Sequence, residues 1–157
     1  TLHWVSASHA INAEVRLCGP ATLLPADADR WGVTVFHDLD EALEGCDAVM
    51  ALRIQKERMT GGLIPSDREY AALWGLNEAR LERAAPECLV MHPGPMNRGV
   101  EIDGALADDS ERALILEQVE SGVAVRSAIL ELITGRAPNS TIADMRNHDA
   151  DGLGDGA

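Results

Sequence analysis

The side chains best suited to chemistry lie in one polar loop, residues 92–101, which directly follows a short apolar run. Pro93 and Pro95 lack an N–H donor and fix their φ angles, and Gly94 allows a ligand to approach closely. The polar side chains of the loop are His92, Asn97, Arg98 and Glu101. A loop rich in proline and glycine is often purely structural. A stiff loop this polar, at the carboxyl end of a predicted strand, favours a ligand site, because open α/β sheets bind ligands there.

A second candidate segment, Leu52–Arg58, also leaves the carboxyl end of a predicted strand. Arg53 and Gln55 are two residues apart, so on an extended chain their side chains leave the same face. A planar guanidinium matches a carboxylate or phosphate through two parallel hydrogen bonds. Lys56 and Arg58 make the other face basic. The segment is either a solvated run of charge or, in so acidic a chain, a site for an anionic small molecule.

The elements that position these segments predict a Rossmann-like three-layer α/β domain, with a parallel sheet flanked by helices. Short apolar runs alternate with short helical patterns, which is typical of that fold class. The predicted strands are residues 14–18, 33–36, 46–52 and 88–91, and the predicted helices are 25–32, 41–44, a helix from Ser66 through Trp74, 78–85 and 111–133.

Three helix starts have capping residues that can be read from the sequence. Asp38 or Asp40 can cap the helix at 41–44, and Asn77 precedes the helix at 78–85. Ser66, with Glu69 three residues later, fits a capping box. A polar connection from Arg53 to Pro65 is long for a compact domain, and loops of this length are more often functional.

Length and composition limit the class of protein. The 157 residues suffice for one domain with an aliphatic core, since only 3% are aromatic. The net charge of −13 argues against a nucleic-acid partner or an anionic membrane surface. No apolar run approaches the roughly 20 residues of a membrane span, so we expect a cytoplasmic protein. The cysteines Cys18, Cys46 and Cys88 are expected to be buried free thiols, and the scattered histidines predict no metal site.

Two motifs in order resemble the aspartate carbamoyltransferase catalytic chain of bacterial type. They are Ala51–Arg58, with the pattern L-R-x-Q, and Met91–Ile102, which contains an H-P-x-P loop. Pro65-Ser66, Arg68–Tyr70 and Gly75-Leu76 between them also fit, as do Leu116–Val119 and Gly122–Arg126 in the long helix. The resemblance runs from about residue 12 to residue 136.

The resemblance implies that residues 1–136 are the aspartate-binding domain of a transcarbamoylase, without its N-terminal carbamoyl-phosphate domain. It implies that Arg53 binds an aspartate carboxylate with the help of Gln55. The carbonyls of Gly94 and Pro95 would accept hydrogen bonds from the carbamoyl NH₂ group, in a loop oriented by His92 and Pro93. The implied partners are L-aspartate, carbamoyl phosphate and the missing domain, with a homotrimer of the full-length chain and no cofactor or metal.

The implied function is transfer of a carbamoyl group to L-aspartate in pyrimidine biosynthesis, with this half inactive alone. Two departures from the family stand out: the Ser-Thr-Arg-Thr-Arg and His-Pro-Thr-Gln runs are missing, and residues 1–12 hold no second arginine for aspartate. A non-catalytic anion-binding or assembly module that keeps the fold is the alternative. A dinucleotide enzyme is disfavoured because no G-x-G-x-x-G follows the first strand. Residues 137–157 are expected to form a disordered acidic tail.

Overall fold

Short parallel strands alternate with helices along the chain, as the sequence predicts. The computed structural model describes residues 2–55 and 66–135. The strands are β1 (Arg16–Cys18), β2 (Thr34–Phe36), β3 (Ala48–Met50) and β4 (Leu89–Met91). The helices are α1 (Leu2–Ala10), α2 (Leu39–Leu43), α3 (Asp67–Trp74), α4 (Glu78–Leu81), α5 (Gly104–Ala107) and α6 (Ile115–Thr134), with a 3-10 helix at Ala28–Trp31. The predicted α/β class, parallel strands with flanking helices, is confirmed.

The strands pair in two parallel ladders. Strand β1 pairs with β2, and β3 pairs with β4, with Ala48 opposite Leu89 and Met50 opposite Met91. A third extended segment, residues 112–114, adds to the second ladder by pairing with β4. The Val90 N–H donates to the Arg112 carbonyl at 2.9 Å, and the Leu114 N–H donates to the Val90 carbonyl at 2.9 Å. Strand β4 therefore has a neighbour on each side, and Val90 at its centre is fully buried.

The predicted helix caps are confirmed, and the structure decides between the two aspartates. The side chain of Asp38 accepts hydrogen bonds from the Asp40 and Glu41 N–H groups and so caps α2. Ser66 accepts from the Glu69 N–H at the start of α3, and Asn77 accepts from the Arg80 N–H at the start of α4. Each bond satisfies a donor that the first helical turn leaves unpaired.

One aliphatic cluster forms the core of the described chain, as the low aromatic content predicts. Its most buried members are Leu43, Leu76, Leu81, Cys88, Val90, Ile102, Leu106 and Ile115. The cysteines are free, but only Cys88 is buried. The expectation of burial was wrong for Cys18, the last residue of β1, and for Cys46, in the connection between α2 and β3, because both are partly exposed.

The chain divides into two compact units, Thr1–Ile115 and Leu116–Ala157. Helix α6 accounts for the described part of the second unit, and several of its apolar side chains are exposed, among them Leu116 at 76%, Leu132 at 81% and Ile133 at 72%. It begins four residues later than predicted, because 112–114 are extended beside β4. Within the described ranges, no helix combines the length and apolarity that crossing a membrane requires. The predicted tail at 137–157 and most of the predicted connection at 53–65 lie outside the described residues.

Candidate substrate-binding site

The two candidate segments leave the same edge of the β3–β4 ladder. Both strands run in parallel, so their carboxyl ends meet at one edge, and the Ala51 N–H donates to the Met91 carbonyl at 3.0 Å just beyond the paired residues. Arg53 lies two residues after Ala51, and His92 is the residue directly after Met91. The sequence prediction that these segments meet at the carboxyl edge is confirmed.

A side chain from the loop bridges directly to the other segment. The Asn97 Nδ2 atom donates to the Ile54 carbonyl at 3.2 Å. Ile54 is 5% exposed, whereas Arg53 and Gln55 on either side of it are partly exposed. This alternation agrees with the expectation that Arg53 and Gln55 share one accessible face. The basic residues Lys56 and Arg58 of the predicted cluster lie outside the described residues.

The turn at Pro93–Pro95 is fixed by backbone geometry and by one side chain. Gly94 has a φ of +63°, a left-handed conformation that glycine adopts without steric cost, and the Gly94–Pro95 peptide bond is cis. The Gly94 N–H donates to Nδ1 of His92 at 2.9 Å. Because Pro93 and Pro95 have no N–H, every backbone donor of this turn is absent or engaged, and the turn offers carbonyl acceptors alone.

A buried histidine–carboxylate pair lies beneath this turn. His92 is 0% exposed and Glu101 is 3% exposed, and Nε2 of His92 lies 3.3 Å from Oε1 of Glu101. The Nδ1 atom accepts from Gly94, so the ring proton of the neutral histidine is on Nε2, facing the carboxylate. Burial lowers the pKa of His92, although the neighbouring Glu101 acts in the opposite direction. Burial thus favours a neutral imidazole, and the contacts with Gly94 and Glu101 define its tautomer.

Glu101 has a structural position that the sequence did not reveal. Its Oε1 atom also accepts a hydrogen bond from the Asn97 N–H. In the sequence, Glu101 is one of the polar groups of the loop and predicts no particular role, because a glutamate on a loop is usually solvated. The position of Glu101 next to the apolar Ile102, four residues after Asn97, was the one feature of the sequence that could have indicated its burial. Only its burial identifies it as part of the site.

Outside this site, the described chain has one further polar surface feature to consider. A shallow cavity on the surface is lined by Glu14, Arg16, Phe36, Glu41 and Glu44. Its arginine is engaged by Glu14 at 3.0 Å and by the Glu44 carbonyl at 2.7 Å. No group of three or more His, Cys, Asp or Glu side chains within residues 2–55 and 66–135 could hold a metal ion.

A parallel α/β domain with polar loops at the carboxyl ends of adjacent strands defines a Rossmann-like ligand-binding domain. The family described as "Aspartate/ornithine carbamoyltransferase, Asp/Orn binding domain" matches residues 2–133, and the chain belongs to this family. The resemblance to the aspartate carbamoyltransferase catalytic chain, drawn from the two motifs, is thereby confirmed.

The curated relatives are named as aspartate carbamoyltransferases, not as ornithine carbamoyltransferases. The chain is 72% identical over 123 residues to the aspartate carbamoyltransferase catalytic subunit of Maricaulis maris, covering 78% of this chain and 38% of that protein. It is 57% identical over 134 residues to that of Granulibacter bethesdensis, covering 83% of this chain and 42% of that protein. The chain thus spans about two fifths of the length of these relatives. Because these relatives are named as catalytic subunits, the alternative of a non-catalytic anion-binding or assembly module is not favoured.

Solved structures agree on the fold. Ornithine carbamoyltransferase from Pyrococcus furiosus matches with a TM-score of 0.69 at 19% identity, over 87% of this chain and 47% of that one. Aspartate transcarbamoylase from Trypanosoma cruzi, in complex with phosphate, matches with a TM-score of 0.57 at 31% identity, over 74% of this chain and 39% of that one. The similarity to the first structure shows the fold alone, whereas the second structure is also similar in sequence.

Proposed function

We propose that this chain is the aspartate-binding half of an aspartate carbamoyltransferase. The enzyme transfers the carbamoyl group of carbamoyl phosphate to the α-amine of L-aspartate, which gives N-carbamoyl-L-aspartate and phosphate. The reaction belongs to pyrimidine biosynthesis in the cytoplasm. It needs no cofactor or metal, because the carbamoyl group arrives already activated by its phosphate.

The observation that carries this proposal is the turn at Pro93–Pro95, which has carbonyl acceptors but no available backbone donor. A phosphate or carboxylate needs donors, so neither fits this turn. A carbamoyl NH₂ group offers two donors and does fit. In this proposal the Gly94 and Pro95 carbonyls accept hydrogen bonds from that group, and His92 and Pro93 keep the turn in shape.

The aspartate contact is assigned to the neighbouring segment. Arg53 is partly exposed, and its guanidinium can bind a carboxylate of aspartate through two charge-assisted hydrogen bonds. Gln55, on the same face, orients the same substrate. Because the Asn97–Ile54 hydrogen bond joins the two segments, the amine would be held next to the carbamoyl carbon.

Catalysis in this scheme is mainly a matter of position and charge. The uncharged amine of aspartate attacks the carbamoyl carbon, the new C–N bond forms, and the C–O bond to phosphate breaks. The amine passes a proton to the departing phosphate, which also takes the electron pair of the broken C–O bond. Negative charge that develops on the carbonyl oxygen and on the phosphate needs donors. The motifs expected to supply them, Ser-Thr-Arg-Thr-Arg and His-Pro-Thr-Gln, are not in this sequence.

The partner that supplies those donors is an N-terminal carbamoyl-phosphate domain. The lengths of the curated relatives leave room for it, since this chain covers 38% and 42% of two of them. The exposed apolar side chains of α6 offer a surface that a further domain could cover. The resemblance further favours a homotrimer of the full-length chain.

Reconstitution tests this function. We would express the N-terminal part of the Maricaulis maris relative, add this chain as a separate polypeptide, and also fuse the two in one polypeptide. Carbamoyl-aspartate formation is measured colorimetrically, with L-ornithine in place of L-aspartate as the specificity control. We expect turnover with aspartate only. A folded fusion that forms no carbamoyl-aspartate, or that prefers ornithine, would overturn the proposal.

A further inference from the structure

The polar groups around the candidate site form one continuous chain of contacts. It begins at the Ile54 carbonyl, which accepts from the Asn97 side chain at 3.2 Å. It continues from the Asn97 main-chain N–H to Oε1 of Glu101. The same oxygen lies 3.3 Å from Nε2 of His92, whose Nδ1 accepts from the Gly94 N–H at 2.9 Å. The chain therefore runs from the segment at residues 53–55 to the turn at Pro93–Pro95.

Glu101 lies at the middle of this chain, and a single oxygen makes both contacts. Its burial means that water is not available to replace either contact if one is lost. Next to it, the Leu76 N–H donates to the Glu101 carbonyl at 3.0 Å, and Leu76 is a core residue that is 2% exposed. The main chain of Glu101, which carries this carboxylate, is thus tied to the hydrophobic core.

Asn97 connects this fixed carboxylate to the other segment. Its main chain is held by Glu101, while its side chain holds the Ile54 carbonyl. Asn97 is only partly buried, and the carbonyl that it holds stands between Arg53 and Gln55 in sequence. A shift of Asn97 would therefore change the distance between the two segments without removing any residue assigned to bind a substrate.

We propose that Asn97 and Glu101 are positioning residues that set the spacing between the turn at Pro93–Pro95 and the segment at Arg53–Gln55. This inference rests on the proposed function, because the spacing matters when one segment holds the amine and the other holds the carbamoyl group. His92 is fully buried and transmits the position of Glu101 to the turn. None of the three side chains needs to touch a substrate.

The predicted consequence is a selective loss of turnover. Removing the Asn97 side chain leaves Arg53, Gln55 and the turn carbonyls in place, so the ground-state affinity for each substrate is retained. The amine and the carbamoyl carbon are then held less accurately relative to each other. A misplacement of about 1 Å can reduce the rate by a factor of about 10². We therefore expect kcat to fall by about 10- to 100-fold, with KM for aspartate within about threefold.

The test compares three variants in the reconstituted enzyme. Asn97→Ala removes the donor, and Asn97→Asp keeps the shape but places an acceptor against the Ile54 carbonyl. Asp108→Asn is the matched control, because it removes the charge of an exposed ion pair between Arg98 of the loop and Asp108 at the end of α5, which lie 2.7 Å apart. We expect both Asn97 variants to lose kcat and Asp108→Asn to keep it, with melting temperatures close to that of the unmodified enzyme.

The possible outcomes are distinct. A raised KM with unchanged kcat would make Asn97 a substrate ligand and overturn the positioning role. An unchanged kcat in both variants, or a loss that follows the melting temperature, would also overturn it. If the unmodified reconstituted enzyme forms no carbamoyl-aspartate, the proposed function fails instead. In that case NMR of this chain still tests the contact itself: Asn97→Ala, but not Asp108→Asn, should shift the Ile54 and Gln55 amide resonances.

Discussion

The buried His92 should make the stability of this protein depend on pH in a defined direction. Burial lowers the pKa of the folded-state imidazole from its ordinary value of 6.5. Above pH 6.5 the imidazole is mostly neutral in both the folded and the unfolded chain, so His92 contributes little pH dependence. As the pH falls below 6.5, the unfolded chain binds a proton on this side chain and the folded chain does not. The free energy of unfolding must therefore decrease on acidification.

The size of this effect follows from proton linkage. While one state binds a proton and the other does not, the free energy of unfolding changes by at most about 1.4 kcal/mol per pH unit. The decrease ends where the pH reaches the lowered pKa of the folded-state imidazole. Glu101 raises the His92 pKa and so opposes burial. Replacing it with glutamine should lower the pKa further and extend the sensitive range to more acidic pH.

Urea unfolding at intervals between pH 7.5 and 5.0 measures this dependence. His92→Asn is the comparison, because asparagine can place an amide oxygen where Nδ1 accepts from Gly94 but does not titrate. The variant will be less stable at every pH, so the informative quantity is the difference between the two curves. We expect that difference to shrink as the pH falls below 6.5. Parallel curves across this range would refute the assignment of a buried neutral imidazole.

Three further predictions address the site and the core. Arg53→Lys should weaken productive aspartate binding in the reconstituted enzyme by about 2–5 kcal/mol, because lysine lacks the planar guanidinium group that forms two parallel hydrogen bonds. Carbamoyl phosphate binding should change little. A change in aspartate binding within about 0.5 kcal/mol would indicate that Arg53 is only a surface charge. This chain alone should form no measurable carbamoyl-aspartate, since each missing transition-state donor costs a factor of about 10²–10³; turnover by the purified chain would contradict this. Leu81→Ala, at a 1% exposed core position, should lower the free energy of unfolding by about 2–5 kcal/mol in urea titrations, whereas Leu73→Ala, at 48% exposure, should cost far less.

Features that depend on neighbours in sequence could be predicted without the structure. The caps at Ser66 and Asn77 involve donors three residues away, so the residue types alone indicate them. The turn at Pro93–Pro95 follows from the stereochemistry of proline and glycine. The meeting of the Arg53 and His92 segments, although distant in sequence, could also be predicted, because neighbouring parallel strands present their carboxyl ends at the same edge.

Features that depend on distant residues were decided by the tertiary structure. Residues 112–114 have a pattern that continues into a helix, yet they are extended because Val90 supplies backbone partners on β4. The burial of His92 and Glu101, and the bond from Asn97 to Ile54 across 43 positions of sequence, are not encoded in any local spacing. The sequence determined which polar groups this protein has near its strand ends, because composition and local stereochemistry are local properties. Which of those groups are shielded from water and joined to one another was decided only by packing, because burial depends on elements far apart in the chain.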